Sequence, residues 1–224
     1  MTLADPPTER LSVRLRNGTR SDHDAAQGSG FLDALAAGTL PRRAYAELAV
    51  QHWFIYESLE RAAVVMAGNP IAGEFVFPEL TRLPALTDDL ATLLGPQSQI
   101  TPLPATEEYC ARLREVAFDR PWGFIAHHYT RYLGDLSGGQ YLGPAIAKAY
   151  GLDGAGHRFF VFEGISPPAF RTGYRERLDR VAFSAEDEES FLAEVVEAYR
   201  LNIAVLSELH ERWSKTDCAG DAQL

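Results

Sequence analysis

The chain has 224 residues, of which 46% are hydrophobic and 23% are charged, a composition that suits a globular domain with a sizeable core. Its 21 basic and 31 acidic residues give a formal net charge of −10, which argues against nucleic acid or an anionic membrane as the main partner. The N-terminus lacks the apolar stretch of a signal peptide, and Cys110 and Cys218 form no metal or redox motif. We therefore expect a single cytoplasmic domain over residues 1–224, with a core of about residues 10–212, frayed ends and no membrane anchor.

The first predicted helix, which begins near residue 8, places a histidine at the end of an apolar stripe. Leu11, Leu15, Thr19 and His23 are spaced by four residues, and Arg16 lies on the same side of the helix. Histidine is a common axial ligand of heme iron, and a neighbouring cation suits anionic propionates. A lone histidine at a helix edge is more often structural, so the residues alone leave both interpretations open.

The next segments are predicted to be helical scaffold. A short helix over residues 31–35 ends at Gly38, and a long helix begins after Pro41. The inward stripe of this long helix includes His52, interpreted as a core or rim residue, and Tyr56, interpreted most simply as core.

Further along the chain, helix starts are marked by capping residues. Thr106, followed by two glutamates, predicts the N-cap of a helix, and Ser184 before four acidic residues predicts the start of the last helix. His127 and His128 have no partner at metal-ligand spacing and are interpreted as structural. The aromatic run at residues 159–162 is interpreted as a loop segment.

Glycines interrupt the helix predicted for the centre of the chain. Apolar residues recur at helical spacing on both sides of Gly134, Gly138 and Gly139, which predicts that all three lie inside one long helix. Each glycine costs about 0.5–1 kcal/mol relative to alanine there, so a use is expected. The glycines provide either a hinge or a bare strip of backbone that a flat ligand can approach, with the Asp135 carboxylate at its border. Tight helix packing is the competing explanation.

Two features of the C-terminal third carry polar groups of interest. Arg171 and Arg175 lie one turn apart on a helix that begins near Pro168, where a solvated basic face is the simpler interpretation. Asn202 lies on the apolar stripe of the last helix, and a buried amide needs hydrogen-bond partners.

Residues 129–140 closely resemble the distal-helix signature of the heme oxygenase family. The spacing Leu11-Ser12-x3-Arg16-x2-Thr19-x3-His23 is similar to the proximal helix of that family, and the resemblance covers roughly residues 10–212. It implies an all-α fold of about eight helices, with heme between the first and the central helix. It also implies cleavage of heme by O2 and electrons from ferredoxin or a flavoprotein reductase, yielding biliverdin, carbon monoxide and ferrous iron.

The resemblance also implies how heme is held. His23 matches the axial iron ligand of the family, and Gln27 stands where many relatives have a glutamate that bonds to the outer nitrogen of this ligand. A neutral glutamine should leave the imidazole less electron-donating. The residues that match contacts to the heme propionates are Arg16, Tyr129, Arg171 and Arg175.

On the opposite side of heme, the resemblance implies a catalytic role for Asp135. The bare backbone of Gly134 and Gly138 would press bound oxygen towards a meso carbon, and Asp135 would deliver a proton through ordered water. The residues that match the remainder of this polar network are Tyr56, Arg131 and Asn202.

Two other functional classes stay open at the level of sequence. A heme carrier or sensor would share His23 and the basic residues but would have no use for the network around Asp135. A relative of the same helical fold that binds two metals would need several inward Glu and His residues at paired helical spacing, and no convincing set is found.

Overall fold

The computed structural model describes residues 9–20 and 30–220, with side chains up to residue 215. The described residues form helices and contain no strand, as predicted. The helices are α1 (Leu11–Gly18), α2 (Gly30–Ala36), α3 (Arg42–Met66), α4 (Leu83–Leu94), α5 (Pro104–Val116), α6 (Pro121–His128), α7 (Gly134–Tyr150), α8 (Pro167–Leu178) and α9 (Ala185–Gly220). Short 3-10 helices lie at Ala72–Phe75, Pro78–Leu80 and Arg158–Phe160.

The core lies between the three helices α3, α6 and α9. Helix α9 packs against α5 and α6, and α3 packs against α4 and α5. The stripe predicted on α9 is buried at Phe191, Val195 and Leu206. Burying one such side chain contributes about 1.5–3 kcal/mol, so this stripe holds the longest helix onto the others.

Of the two helix starts predicted from capping residues, the one at Ser184 is confirmed and the one at Thr106 is wrong. The Ser184 hydroxyl oxygen accepts a hydrogen bond from the backbone N–H of Asp187 at 3.1 Å, which confirms it as the cap of α9. Thr106 is not an N-cap, because α5 already begins at Pro104. Proline is favoured in the first helical turn, where its missing N–H costs nothing. Thr106 is therefore buried inside the helix, and its hydroxyl has no hydrogen-bond partner among the described residues.

Helix α1 carries Leu11 and Leu15 of the predicted stripe, whereas His23 lies outside the described residues. The helix begins at Leu11, and it ends at Gly18, whose flexible backbone does not favour helix. Both the backbone N–H and the hydroxyl of Thr19 donate to the Leu15 carbonyl, at 3.0 and 2.8 Å, and close the last turn. The start of α1 is fixed by Asp179, whose carboxylate accepts a hydrogen bond from the backbone N–H of Ser12 at 2.9 Å.

The central helix is continuous but not uniform. Helices α6 and α7 are joined by a single π-helical turn, Tyr129–Leu133, so the predicted glycines do lie within one long helix. The helix ends at Gly151, whose φ of +62° favours glycine. In the described part of the chain, no helix has the length and apolarity that a membrane crossing requires.

Candidate functional site

A cavity of about 630 Å³ lies between α1, α3, the junction of α6 and α7, α8 and α9. This volume falls within the range of about 300–1,000 Å³ that is common for small-molecule sites. Most of the site residues expected from the sequence line this cavity: Arg16, Tyr129, Arg131, Gly134, Asp135, Gly138, Arg171, Arg175 and Asn202. His23 and Gln27 lie outside the described residues.

The glycines of the central helix serve two separate purposes. Apart from its own helix, a Cβ atom added at Gly134 or Gly138 would meet no atom of the described residues within 4 Å, so both positions open onto the cavity. A Cβ atom at Gly139 would lie 3.3 Å from the Phe160 ring, and one at Gly143 would lie 2.7 Å from the Phe160 Cβ atom. The bare strip and the tight packing that the sequence offered as alternatives are therefore both present, at different glycines.

The π-helical turn directs neighbouring residues towards the cavity. A π turn carries one more residue than an α turn and shifts the register of the side chains that follow. Tyr129, Thr130, Arg131, Leu133 and then Gly134 all reach the cavity wall as a result. Such turns are frequent at functional sites.

Four polar side chains, which we call the distal network, meet beside the glycine strip. They are Tyr56, Arg131, Asp135 and Asn202. The Tyr56 hydroxyl donates a hydrogen bond to the Asp135 carboxylate. Arg131 Nη1 donates to Asn202 Oδ1 at 2.5 Å, and its guanidinium carbon lies 5.1 Å from the centre of the Tyr56 ring. The structure thus brings together the four residues that the resemblance selected.

Burial and neighbouring groups act in opposite directions on the pKa of Asp135. Burial raises the pKa of this carboxyl, although the Arg131 cation and the hydrogen bond from Tyr56 oppose the rise. Burial and the nearby Asp135 charge raise the pKa of Tyr56, so its hydroxyl stays protonated. A carboxyl with a raised pKa can hold and release a proton closer to neutral pH. The network therefore has the properties of a proton-donating group.

Basic side chains form a second wall of the cavity. Arg16 comes from α1, whereas Arg171 and Arg175 come from α8. Arg171 Nη1 donates to the Leu136 carbonyl and to the Ser137 hydroxyl oxygen, both at 3.1 Å, and is thereby fixed against α7. Burial raises the pKa of Tyr129, although the cations of Arg175 and Arg16 oppose this change. Cations on one wall and bare backbone on another suit a flat ligand with an anionic edge.

The cavity residues that were not identified as site residues from the sequence include His52 and Phe160. His52 lines the cavity from α3, one turn before Tyr56, and its ring centre lies 4.9 Å from that of Phe159. Phe160 lines the cavity from the 3-10 helix Arg158–Phe160, a segment that the sequence analysis interpreted as a loop. The i, i+4 relation to Tyr56 is the signal that could have indicated His52.

The two histidines at the end of α6, His127 and His128, are structural, as expected. The ring of His127 is fully buried, with Nε2 3.0 Å from Glu194 Oε1. His128 is also buried, with Nδ1 3.1 Å from the Tyr174 hydroxyl, and neither ring lines the cavity. Within residues 9–20 and 30–220, no group of three His, Cys, Asp or Glu side chains is arranged to hold a metal ion.

The fold and the cavity together define a class of all-helical protein with a cavity between a basic wall and a bare stretch of helix backbone. The heme oxygenase family model matches residues 9–208. Heme oxygenase 1 of Nostoc sp. is 34% identical over 206 residues, which cover 90% of this chain and 87% of that protein. Heme oxygenase 1 of Rattus norvegicus is 36% identical over 211 residues, covering 92% and 73%.

A solved structure agrees with these sequence relatives. The crystal structure of heme oxygenase-1 from the cyanobacterium Synechocystis sp. in complex with heme has a TM-score of 0.87 at 30% identity, and covers 94% of this chain and 96% of that one. The chain belongs to the heme oxygenase family. Members of this family are oxidoreductases that break down heme, and the chain is an enzyme of this kind.

Proposed function

We propose that the cavity binds heme as substrate and that the chain cleaves it, with O2 and electrons from an external donor, to biliverdin, carbon monoxide and ferrous iron. The observation that carries this proposal is the position of Asp135 and its hydrogen-bonded partners beside a strip of backbone without side chains. Bound heme would supply the iron at which O2 is activated. The protein would supply orientation, a closed environment and a proton.

Orientation would come from the basic wall. Arg16, Arg171 and Arg175, together with the Tyr129 hydroxyl, can bond to the two propionates and fix one edge of the ring. We propose that His23, which matches the axial ligand of the family, holds the iron. The solved relative that contains heme supports heme as the ligand of this cavity.

The glycine strip would control the space over the other face of the ring. Because Gly134 and Gly138 have no side chains, the helix backbone itself forms the wall of the cavity there. A side chain at either position would fill the space in which the reacting oxygen must lie. The backbone of the strip would therefore lie close to the ring and direct the bound oxygen towards the ring edge.

Asp135 would hold the proton that the reaction consumes. Its carboxyl has a raised pKa, and the Tyr56 hydroxyl fixes its orientation. The bond between Arg131 and Asn202 keeps a positive charge beside it. Water held by the carboxyl could carry the proton into the cavity without direct contact between Asp135 and heme.

The test replaces Asp135 by asparagine, which keeps the shape of the side chain and removes its titratable proton. We expect heme affinity within about threefold of the parent and biliverdin formation at least about 100-fold slower, since general acid catalysis contributes about 10²–10⁴ in rate. Asp33→Asn, at an exposed position on α2, is the matched control. Biliverdin formation by Asp135→Asn at the parental rate would show that the proton comes from another group.

Two further parts of the proposal concern the setting of the enzyme. We propose ferredoxin or a flavoprotein reductase as the electron donor, and the cytoplasm as the compartment, where a free buried thiol such as Cys110 stays reduced. Heme turnover measured with each purified donor separates the two. If neither donor supports heme turnover, although a chemical reductant does, both donor classes are ruled out.

A further inference from the structure

His52 is a polar side chain of the cavity that has no role in the function proposed above. It projects from α3, with its ring centre 4.9 Å from Phe159 and 6.5 Å from Tyr56. It lines the same cavity as Arg131 and Asp135. Its ring nitrogens make no hydrogen bond to any of the described residues, so they are available to a molecule in the cavity.

Arg131 has the complementary property. The side chain is only 5% exposed, and Nη1 donates to Asn202. Its Nε and one further nitrogen, Nη2, are buried and have no hydrogen-bond partner within the described part of the protein. Buried donors on a charged group are costly to leave unpaired, so a partner is expected from the cavity that Arg131 lines.

The charge state of His52 makes it a suitable acceptor for such a partner. Burial and the nearby Arg131 cation both lower the pKa of this imidazole well below its usual range, so the ring is neutral. A neutral imidazole presents one N–H donor and one acceptor nitrogen. A cation with unused donors and an imidazole with an unused acceptor therefore share one cavity. A water molecule can satisfy both, because it accepts from one and donates to the other.

We propose that His52 and Arg131 hold a bridging water molecule between them, which makes His52 a positioning residue of the distal network. The bridge would fix the Arg131 guanidinium in the orientation that bonds to Asn202. It would also keep the positive charge in place beside Asp135. The bridge is argued from the unpaired donors of Arg131 and the position of His52 in the same cavity, whereas its effect on heme cleavage rests on the proposed function.

The test uses two variants of His52 and one of its neighbour. His52→Leu removes both ring nitrogens and keeps a side chain of similar size, whereas His52→Gln retains a donor and an acceptor. Phe159→Leu alters the packing against His52 without removing a hydrogen-bonding group. All three are compared with the parent in the absence of heme. The measured quantity is the rate of hydrogen exchange at the Arg131 Nε–H group, which nitrogen-15 NMR detects. Arg131→Lys assigns the signal.

We expect exchange at Arg131 to be at least about tenfold faster in His52→Leu, because one hydrogen bond to a charged group is lost. Exchange in His52→Gln and in Phe159→Leu should be close to that of the parent. Unchanged exchange in His52→Leu would overturn the bridge. Equal acceleration in all three variants would overturn it as well, since packing would then be the cause.

A second measurement connects the bridge to the chemistry. With heme bound, we expect His52→Leu to retain parental heme affinity and to form biliverdin about tenfold more slowly, and His52→Gln to recover at least half of the rate. Parental rates in His52→Leu would overturn the positioning role. If the parent itself formed no biliverdin, the proposed function would fail, and the exchange measurement would still decide whether the bridge exists.

Discussion

Replacing Gly138 by alanine should make the protein more stable and a poorer enzyme. Gly138 lies in the interior of α7, and a Cβ atom there would meet nothing within 4 Å in the described part of the chain, apart from its own helix. Nothing therefore offsets the helix preference of alanine, which is about 0.5–1 kcal/mol over glycine. For a chain of this size, about 1 kcal/mol corresponds to about 2–4 °C, so Tm without heme should rise by about 1–4 °C.

The same methyl group should weaken the binding of heme. It projects into the cavity at the point where the backbone forms the wall. Overfilling a closely packed site costs about 1–3 kcal/mol, which corresponds to heme binding about 5- to 150-fold weaker. Biliverdin formation should fall with it, because the reacting oxygen must occupy the same space.

Gly173 offers a matched control on another helix. It lies inside α8 and does not line the cavity, and outside its own helix a Cβ atom there also meets none of the described residues within 4 Å. Gly173→Ala should raise Tm by the same amount and leave heme binding unchanged. Thermal unfolding by circular dichroism and hemin titration of the Soret band measure the two effects. Parental heme affinity and turnover in Gly138→Ala would refute the role of the bare strip.

The remaining predictions concern packing, charge and orientation. Gly143→Ala should lower the free energy of unfolding by about 1–3 kcal/mol in urea titrations, because its Cβ atom would lie 2.7 Å from the Phe160 Cβ atom; equal stability would contradict this packing. Burial opposes ionisation of Glu194, but hydrogen bonds from His127 and Arg112 outweigh it and lower its pKa to about 2 from the ordinary 4.5. The stability that this depressed pKa provides is present above pH 4.5 and is lost as the pH falls towards 2. Glu194→Gln should therefore destabilise the protein by about 1–3 kcal/mol at pH 7 in urea titrations, with a difference that shrinks below pH 4.5; a difference independent of pH would exclude this role. Arg175→Glu should weaken heme binding moderately and convert a single biliverdin isomer, by resemblance the product of α-meso cleavage, into a mixture; one unchanged isomer on chromatography would assign Arg175 to a solvated basic face.

The sequence predicted the helices well, and the resemblance selected all four residues that meet in the distal network. The spacing of apolar residues placed Gly134 and Gly138 inside a helix, and the resemblance selected Tyr56 and Asp135 as partners. Both are properties of short stretches of sequence. Helix periodicity and a contiguous motif can therefore indicate them without knowledge of the neighbouring elements.

Other features depended on contacts that the sequence does not state. Periodicity cannot separate a π turn from an α turn over five residues, so the turn at Tyr129–Leu133 was not predicted. Which glycines face the cavity and which face Phe160 depends on where the segment after α7 packs. The cap at Thr106 was wrong because Pro104 starts the helix earlier, and the cavity position of His52 required knowing what lies beside α3.

The most direct test of the central claim is a single-turnover reaction with heme. Hemin is added to protein purified without heme, and a reductant is supplied in air while the Soret and bilin absorption bands are followed. We expect one heme to bind per chain, the Soret band to disappear and a biliverdin band to rise in its place. Binding followed by a persistent Soret band and no bilin would contradict the account, and would make the protein a heme carrier or sensor.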